Sequence, residues 1–300
     1  MEFDYGVIWE QKISLLTYSA LLFAIISLWI KRTPLLWGGF LSIAIVAGLL
    51  SQTLHWLGLA AIFLYGSIVY CTFHTKNRVF QTTFGILTFV FSMLFWFHKI
   101  PGFNNWQVAH GLSLSPEAFP LTMYLNFDKA LIGLFILGFG TLPLCCPIEK
   151  STVSKQCDWS CAKILALISG SIFTIGMISL ATGVVKFDLK FSHFFWIWAL
   201  NNLLFVCVVE EVLFRGFVQR HLTQAFSQYR FGIVLALVIA SIGFGLSHQG
   251  TITYLLLSTL CGLFYGIIYL KTQKIEAAIG THFLVNVIHI VGFSYPFLLK

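Results

Sequence analysis

The segment FSHFFWIWALNNLLFVCVV, residues 191–209, contains no Asp, Glu, Lys or Arg. A helix needs roughly 17–25 mostly apolar residues to cross the hydrocarbon core of a bilayer, and this segment is long enough. In lipid, backbone N–H and C=O groups must be satisfied within the segment or within a closed barrel. A continuous apolar run of this length therefore predicts an α-helix that spans a membrane.

Runs of the same kind fill most of the chain. The others lie at 13–30, 35–73, 79–97, 130–146, 164–185, 231–247, 252–270 and 277–299. The run 35–73 is long enough for two helices, and a turn is predicted near Ser51, Gln52 and Thr53. The sequence therefore predicts an all-α polytopic transmembrane bundle with about ten spans, within a range of eight to ten.

The overall composition also indicates a protein that is surrounded by lipid. Hydrophobic residues make up 58% of the 300 residues and charged residues only 10%, whereas soluble domains carry about 25% charged residues. A soluble domain, a disordered chain and a secreted disulfide scaffold are excluded, and membrane lipids are expected around the protein. The net charge is +7, but the basic residues lie in short gaps between apolar runs, so no nucleic-acid partner is expected.

The arrangement of the runs also suggests a location. The run 13–30 is too long for a cleavable signal peptide, and it is followed by Lys31 and Arg32 rather than by small residues. The loops after the odd-numbered spans hold most of the Lys and Arg residues, which predicts that both termini lie outside the cytoplasm. We expect a multi-pass integral protein of a prokaryotic inner membrane.

Two adjacent carboxylates follow the opening segment directly, in the motif EEVLFRG at 210–216. Apolar residues continue beyond the motif, so the helix is predicted to run to about Ala225. Glu211 and Arg215 are four residues apart and can pair on one helix face, whereas Glu210 is turned by about 100°. One carboxylate can then be neutralised while the other handles protons; the alternative is a helix end with a surface ion pair.

Two further polar motifs lie on later runs. FGLSH (244–248) closes an uncharged run with a histidine, and a histidine at a helix end is often only interfacial. In HFLVN (282–286), His282 and Asn286 share one helical stripe with His289. Such a stripe faces the interior of a bundle or a water-filled cavity, unless it serves as hydrogen-bonding glue between helices.

Together the three motifs supply the groups that a hydrolase needs. A carboxylate takes a proton from water while a histidine assists, and imidazole and amide groups donate to a developing oxyanion. Neither GxSxG nor HExxH occurs, so serine and zincin chemistries have no local motif. Counting residues places His248 near one membrane face and His282 near the other, so the two meet only if the helices are offset or tilted.

The order EExxxR, FxxxH and HxxxN resembles the CPBP family, the group of CAAX prenyl protease 2 and of the bacterial Abi or bacteriocin-processing proteins. The residues that carry the resemblance are Glu210, Glu211, Arg215, Phe244, His248, His282 and Asn286. The resemblance implies an all-helical intramembrane endopeptidase of the glutamic type. It implies the following roles: Glu210 as general base, His282 as its partner in activating water, His248 and Asn286 as the oxyanion hole, and Glu211 with Arg215 as organisers of the site.

The chain is accordingly divided into residues 1–160, a scaffold of transmembrane helices, and residues 161–300, a CPBP-like catalytic membrane core. The longest polar stretch, 98–129, is interpreted as an outer-face loop with a short interfacial helix. Its last five residues, LNFDK at 125–129, are interpreted as an interfacial helix start, with a substrate-side element as the alternative.

The expected substrate is a membrane-embedded or lipidated protein or peptide that is cleaved near a terminus, and no cofactor is expected. One alternative is a zinc-dependent peptidase in which Glu210, His248 and His282 are the three protein ligands and water is the fourth. Another is a non-catalytic membrane immunity or adaptor protein, or a transporter. A transporter is disfavoured because the polar residues lie in one half of the chain only.

Overall fold

The computed structural model describes residues 11–140, 142, 160–248 and 250–299. In this part of the chain there are ten helices and one two-stranded sheet. The elements in chain order are α1 (Lys12–Ile30), α2 (Pro34–Leu50), α3 (Trp56–His74), α4 (Arg78–Trp96), β1 (Trp106–Leu112), β2 (Leu121–Leu125), α5 (Phe127–Phe139), α6 (Cys161–Ala181), α7 (Phe195–Ala225), α8 (Gly232–Leu246), α9 (Ile252–Thr272) and α10 (Ile275–Gly292).

The predicted all-α polytopic bundle is confirmed, and each predicted span corresponds to one helix. Seven of the helices are long and apolar enough to cross a membrane, while α2 and α8 are apolar but shorter. The predicted turn in the run 35–73 is also present, because α2 ends at Leu50 and α3 begins at Trp56.

The outer surface of the bundle is apolar. Large hydrophobic side chains are exposed along the outer helices, among them Phe23, Val46, Phe63, Phe173 and Ile239. Soluble proteins rarely expose contiguous apolar surface on this scale. The protein is therefore an integral membrane protein, with lipid as the solvent of these faces.

Helix α5 is the central element of the fold. It has 13 residues, of which ten are buried, and its length of about 20 Å is less than the hydrocarbon core of roughly 30 Å. It packs against α1, α3, α4 and α7. Gly133 permits the close approach to α7, because an added Cβ would lie 3.2 Å from the side chain of Val209.

Helix α7 carries the two carboxylates and is the most buried of the seven candidate spans. It runs to Ala225, as the apolar pattern predicts. Its hydrogen bonding becomes π-helical over Asn202–Cys207 and again over Val212–Gln219, on either side of Glu210 and Glu211. Such π-helical turns widen the helix and often occur at functional sites.

The prediction of a short interfacial helix within 98–129 is wrong. These residues form the antiparallel hairpin of β1 and β2, in which Trp106 lies opposite Leu125. The alternation of β2, with Met123 and Leu125 buried and Thr122 and Tyr124 exposed, is typical of a half-buried strand. The motif LNFDK does start a helix at Phe127, but that helix is the buried α5 rather than an interfacial one.

A second small assembly closes the same end of the bundle. We call it the clasp and define it as residues 113–120, 184–190 and 293–299. Backbone hydrogen bonds join its three segments: Phe119 N donates to Phe297 O (3.0 Å), and Leu298 N donates to Val184 O (3.1 Å). The clasp therefore ties the hairpin loop and the segment before α7 to the segment that follows α10.

The charge of Asp188 is stabilised within the clasp. The hydrogen bond from Ser115, together with Lys190 at 3.1 Å, holds the pKa of Asp188 below its ordinary value. A lowered pKa contributes stability above the unfolded pKa, and this contribution is lost as the pH falls through the folded value. We therefore expect Asp188→Asn to lower the melting temperature at neutral pH, by the equivalent of at most about 1 kcal/mol for so accessible a pair.

The measurement is the melting temperature of the wild type and of Asp188→Asn in detergent, followed from neutral pH into strong acid. The difference between the two should shrink to zero below the folded pKa of Asp188. Glu117→Gln is the matched control, because this carboxylate pairs with Lys186 but is fully exposed and should contribute less. A difference that grows in acid would contradict the assignment.

Candidate active site

Glu211 is held by two partners deep in the bundle. Its Oε2 lies 3.2 Å from Nε of Arg215 one turn later, and both side chains are 0% exposed. Its Oε1 lies 2.9 Å from Nδ1 of His282 on α10. Arg215 is fixed in turn, since it donates to Gly262 O (3.1 Å) and its guanidinium lies 4.6 Å from the ring centre of Phe244. The predicted pairing of Glu211 with Arg215 is therefore present, and a histidine joins it.

Glu210 has a different pair of partners. Its Oε2 lies 3.5 Å from Nε2 of His248, and its Oε1 lies 3.4 Å from Nζ of Lys129 on α5. Glu210 is 2% exposed. Each carboxylate of the adjacent pair thus contacts one cation and one imidazole.

His248 and His282 reach the same region because α8 is short. Its 15 residues span about 22 Å, less than the bilayer core, so that His248, two residues beyond its end, lies at depth. The ring of Phe244 bridges the two histidines, at 4.6 Å from His248 and 5.8 Å from His282. The meeting of the two histidines, which the sequence analysis left dependent on offset or tilted helices, is therefore present.

The rings of both histidines are oriented by neighbours. Nδ1 of His248 lies 2.8 Å from the carbonyl oxygen of Phe244 and donates to it. Tyr265 stacks on His282, with ring centres 4.7 Å apart and planes inclined by 18°. These contacts restrict the histidines before any substrate arrives.

Asn286 lies one turn beyond His282. Its Nδ2 donates to Oδ1 of Asn202 (3.1 Å) and lies 3.7 Å from Sγ of Cys207, both in the first π-helical stretch of α7. The amide nitrogen therefore donates to a strong acceptor, the oxygen of Asn202, and to a weak one, the sulfur of Cys207.

A cavity of about 130 Å³ connects these groups. His248, His282, Asn286 and His289 line one wall, and residues of α6 and α9 complete it with a mostly apolar surface. Within the described part of the chain, Nε2 of His289 is buried without a hydrogen-bond partner. Glu210 does not line this cavity, but it contacts His248, which does. A volume of this size is large enough for several waters.

Some residues of the site lie outside the three sequence motifs. Lys129 and Trp96 come from the N-terminal half, and Asn202 and Tyr265 lie within apolar runs. Lys129 and Asn202 could have been noticed in the sequence, because Lys129 precedes an apolar run and Asn202 lies within one. Trp96 and Tyr265 could not be distinguished in the sequence, since aromatic residues are frequent throughout this chain.

No group of three or more His, Cys, Asp or Glu side chains among the described residues has the arrangement of a metal site. Of the ligands that the zinc alternative requires, Glu210 and His248 are in contact, while His282 is directed towards Glu211. The zinc alternative therefore stays a prediction for metal analysis.

Residues 192–288 match the model of the family described as Rce1-like, type II CAAX prenyl endopeptidase Rce1-like. This segment is Rce1-like. The predicted relationship to the CPBP family is confirmed by this match. No curated protein and no solved structure matches the chain significantly.

The Rce1-like segment contains all seven residues that carry the resemblance. It extends from just before α7 into α10 and ends one residue before His289. Lys129 and Trp96, which contact the proposed site from α5 and α4, lie outside it. The description of this family is that of a CAAX-type endopeptidase, and the match supports a hydrolase of this type.

Proposed function

We propose that this protein is an intramembrane endopeptidase that cleaves a membrane-embedded or lipidated protein or peptide near a terminus. One observation carries the proposal. Inside a membrane bundle, Glu210 contacts His248 and Glu211 contacts His282, and both histidines line one cavity.

The first pair is suited to activate water. Because Nδ1 of His248 donates to Phe244 O, the neutral ring has an unprotonated Nε2. Two acceptors, this Nε2 and Oε2 of Glu210, then face one region at a separation of 3.5 Å. A water beside them can donate one hydrogen to each, which leaves its lone pairs free to attack a carbonyl carbon. Glu210 takes the proton as the water attacks.

The second pair is suited to stabilise the oxyanion. Nδ1 of His282 donates to the carboxylate of Glu211, and the imidazolium form of the ring also donates from Nε2. Asn286, on the same stripe of α10, lines the cavity and can donate to the oxyanion in place of its weak hydrogen bond to Cys207. Donors fixed in advance in a water-poor site are effective at stabilising the tetrahedral intermediate. These contacts favour His248 rather than His282 as the partner of Glu210, the reverse of the division that the resemblance implies.

The surroundings of the cavity support the substrate class. The walls from α6 and α9 are mostly apolar, so the substrate segment enters from the membrane rather than from water. The Rce1-like match supports a substrate cleaved near its terminus, and a prokaryotic inner membrane remains our proposal for the location.

Terminal-peptide proteomics tests this function. A strain that lacks the gene is compared with the same strain expressing the wild type or Glu210→Gln at equal levels. We expect at least one membrane-associated protein whose terminus is trimmed only when the wild type is present. If alanine at Glu210, His248 and His282 together left the phenotype intact, an immunity or adaptor role would replace the peptidase.

A metal test separates the glutamate mechanism from the zinc alternative. We expect activity to survive exhaustive treatment with a chelator, because the ammonium group of Lys129, 3.4 Å from Glu210, opposes binding of a divalent cation there. The measurement is metal content by elemental analysis together with turnover. Stoichiometric zinc whose removal stops turnover, and whose return restores it, would establish the zinc reaction instead.

A further inference from the structure

The charges of the site balance only when Lys129 is included. Glu210 and Glu211 are buried neighbours, and Arg215 neutralises one of them from within the Rce1-like segment. The second cation is Lys129, whose Nζ lies 3.4 Å from Glu210 and whose side chain is 15% exposed. A buried carboxylate without a compensating charge is strongly disfavoured. The charge of Glu210 is therefore compensated by a residue of α5, which lies outside the Rce1-like segment.

The position of Lys129 is fixed by an aromatic ring. Its Nζ lies 3.8 Å from the ring centre of Trp96, at the end of α4, a cation–π arrangement. The indole Nε1 of Trp96 donates to Ser247 O (3.2 Å), the residue before His248. Trp96 thus joins Lys129 to the backbone that carries the histidine partner of Glu210.

The start of α5 is also anchored where Lys129 emerges. Asp128 is buried and accepts from Nδ2 of Asn105 (3.0 Å), and its Oδ2 lies 2.7 Å from Nδ1 of His98. Asn105 Oδ1 accepts from the backbone N–H of Phe127 (2.9 Å). The loop after α4 therefore fixes the first turn of α5 and with it the direction of Lys129.

We infer that Lys129 is a positioning residue for the reaction. Its charge holds one oxygen of Glu210 so that the other faces His248, which lines the cavity. The inference rests on the proposed function, because it gives a role to the partner of the proposed base. Lys129 does not line the cavity, so it acts through Glu210 rather than on the substrate.

Kinetics of charge-removing and charge-keeping variants test the inference. The probe is a fluorogenic peptide that ends in a farnesylated CAAX sequence. We expect Lys129→Met to lower kcat about 10²-fold, the cost of a misplaced catalytic group, with little change in KM. Lys129→Arg should recover most of the loss, and Lys99→Met, which removes an exposed charge from the neighbouring loop, should match the wild type. Full activity in Lys129→Met, or an equal loss in Lys129→Arg, would overturn the inference.

A stability cycle tests the ion pair without any substrate. We expect Lys129→Met to lower the melting temperature in detergent, because Glu210 is left uncompensated. Adding Glu210→Gln should recover part of this loss, while turnover stays absent. Additive effects of the two substitutions would refute the pairing. If the wild type cleaved no substrate, in cells or with the peptide, the proposed function would fail. The stability measurements would still show whether Lys129 is the counter-ion of Glu210.

Discussion

Glu210→Gln is expected to abolish cleavage while the protein still folds. The amide keeps the shape of the side chain but cannot accept a proton from the attacking water, and general-base catalysis contributes about 10²–10⁴-fold to such reactions. The groups that line the cavity, among them His248, His282 and Asn286, remain in place. The loss should therefore appear in kcat rather than in KM.

The measurement is turnover of the substrate found by proteomics, with the purified variant and the wild type at equal concentration. Its control is Glu276→Gln, which removes a carboxylate of α10 that accepts from Trp29 (3.0 Å) away from the cavity. Glu210→Asp keeps the charge and should retain part of the activity. Wild-type turnover by a folded Glu210→Gln protein would end the glutamate mechanism.

Arg215→Met is expected to give the largest loss of stability. Glu211 and Arg215 are both 0% exposed, and removal of one partner of a buried ion pair costs about 3–5 kcal/mol because the other charge is left uncompensated. Met fills a similar volume, so the loss reports the charge rather than a cavity. The hydrogen bond to Gly262 is lost as well.

The free energy of unfolding, measured by denaturant titration in detergent micelles, checks this expectation. The matched variant is Arg215→Met with Glu211→Gln, which removes both charges and should recover much of the loss. His282 loses its carboxylate partner in that double variant, so activity should remain low even where stability returns. An unfolding free energy of Arg215→Met equal to that of the wild type would show that the pair contributes nothing to stability.

Much of the fold could be read from the chain because lipid imposes simple rules. Backbone groups without water must be bonded within a helix, so runs without charges mark helices one by one. The turn near Gln52 and the continuation of α7 to Ala225 followed from the same reasoning. The hairpin in 98–129 does not follow from it, because a polar loop outside lipid is free of this constraint. The alternation at Met123 and Leu125 is too brief to predict a strand.

The candidate site was predicted in part for the same reason. Ionisable groups are costly at membrane depth, so Glu210, Glu211 and Arg215 stood out against apolar surroundings. The pairing of the histidines did not follow from spacing, because His248 and His282 belong to different helices. Lys129 was missed since one lysine at the start of an apolar run also fits an interfacial helix start.

The sequence by itself determined that the chain is a helical membrane bundle, and it marked which polar side chains require a partner or a cavity. Both follow from local rules, namely the length of apolar runs and the cost of a charge in lipid. Only the tertiary structure decided which carboxylate meets which imidazole, and that α5 supplies the second cation. Those contacts depend on where the short helix α5 begins and the short helix α8 ends within the bundle. Helix length can be read along one segment, whereas relative depth is set by packing among several.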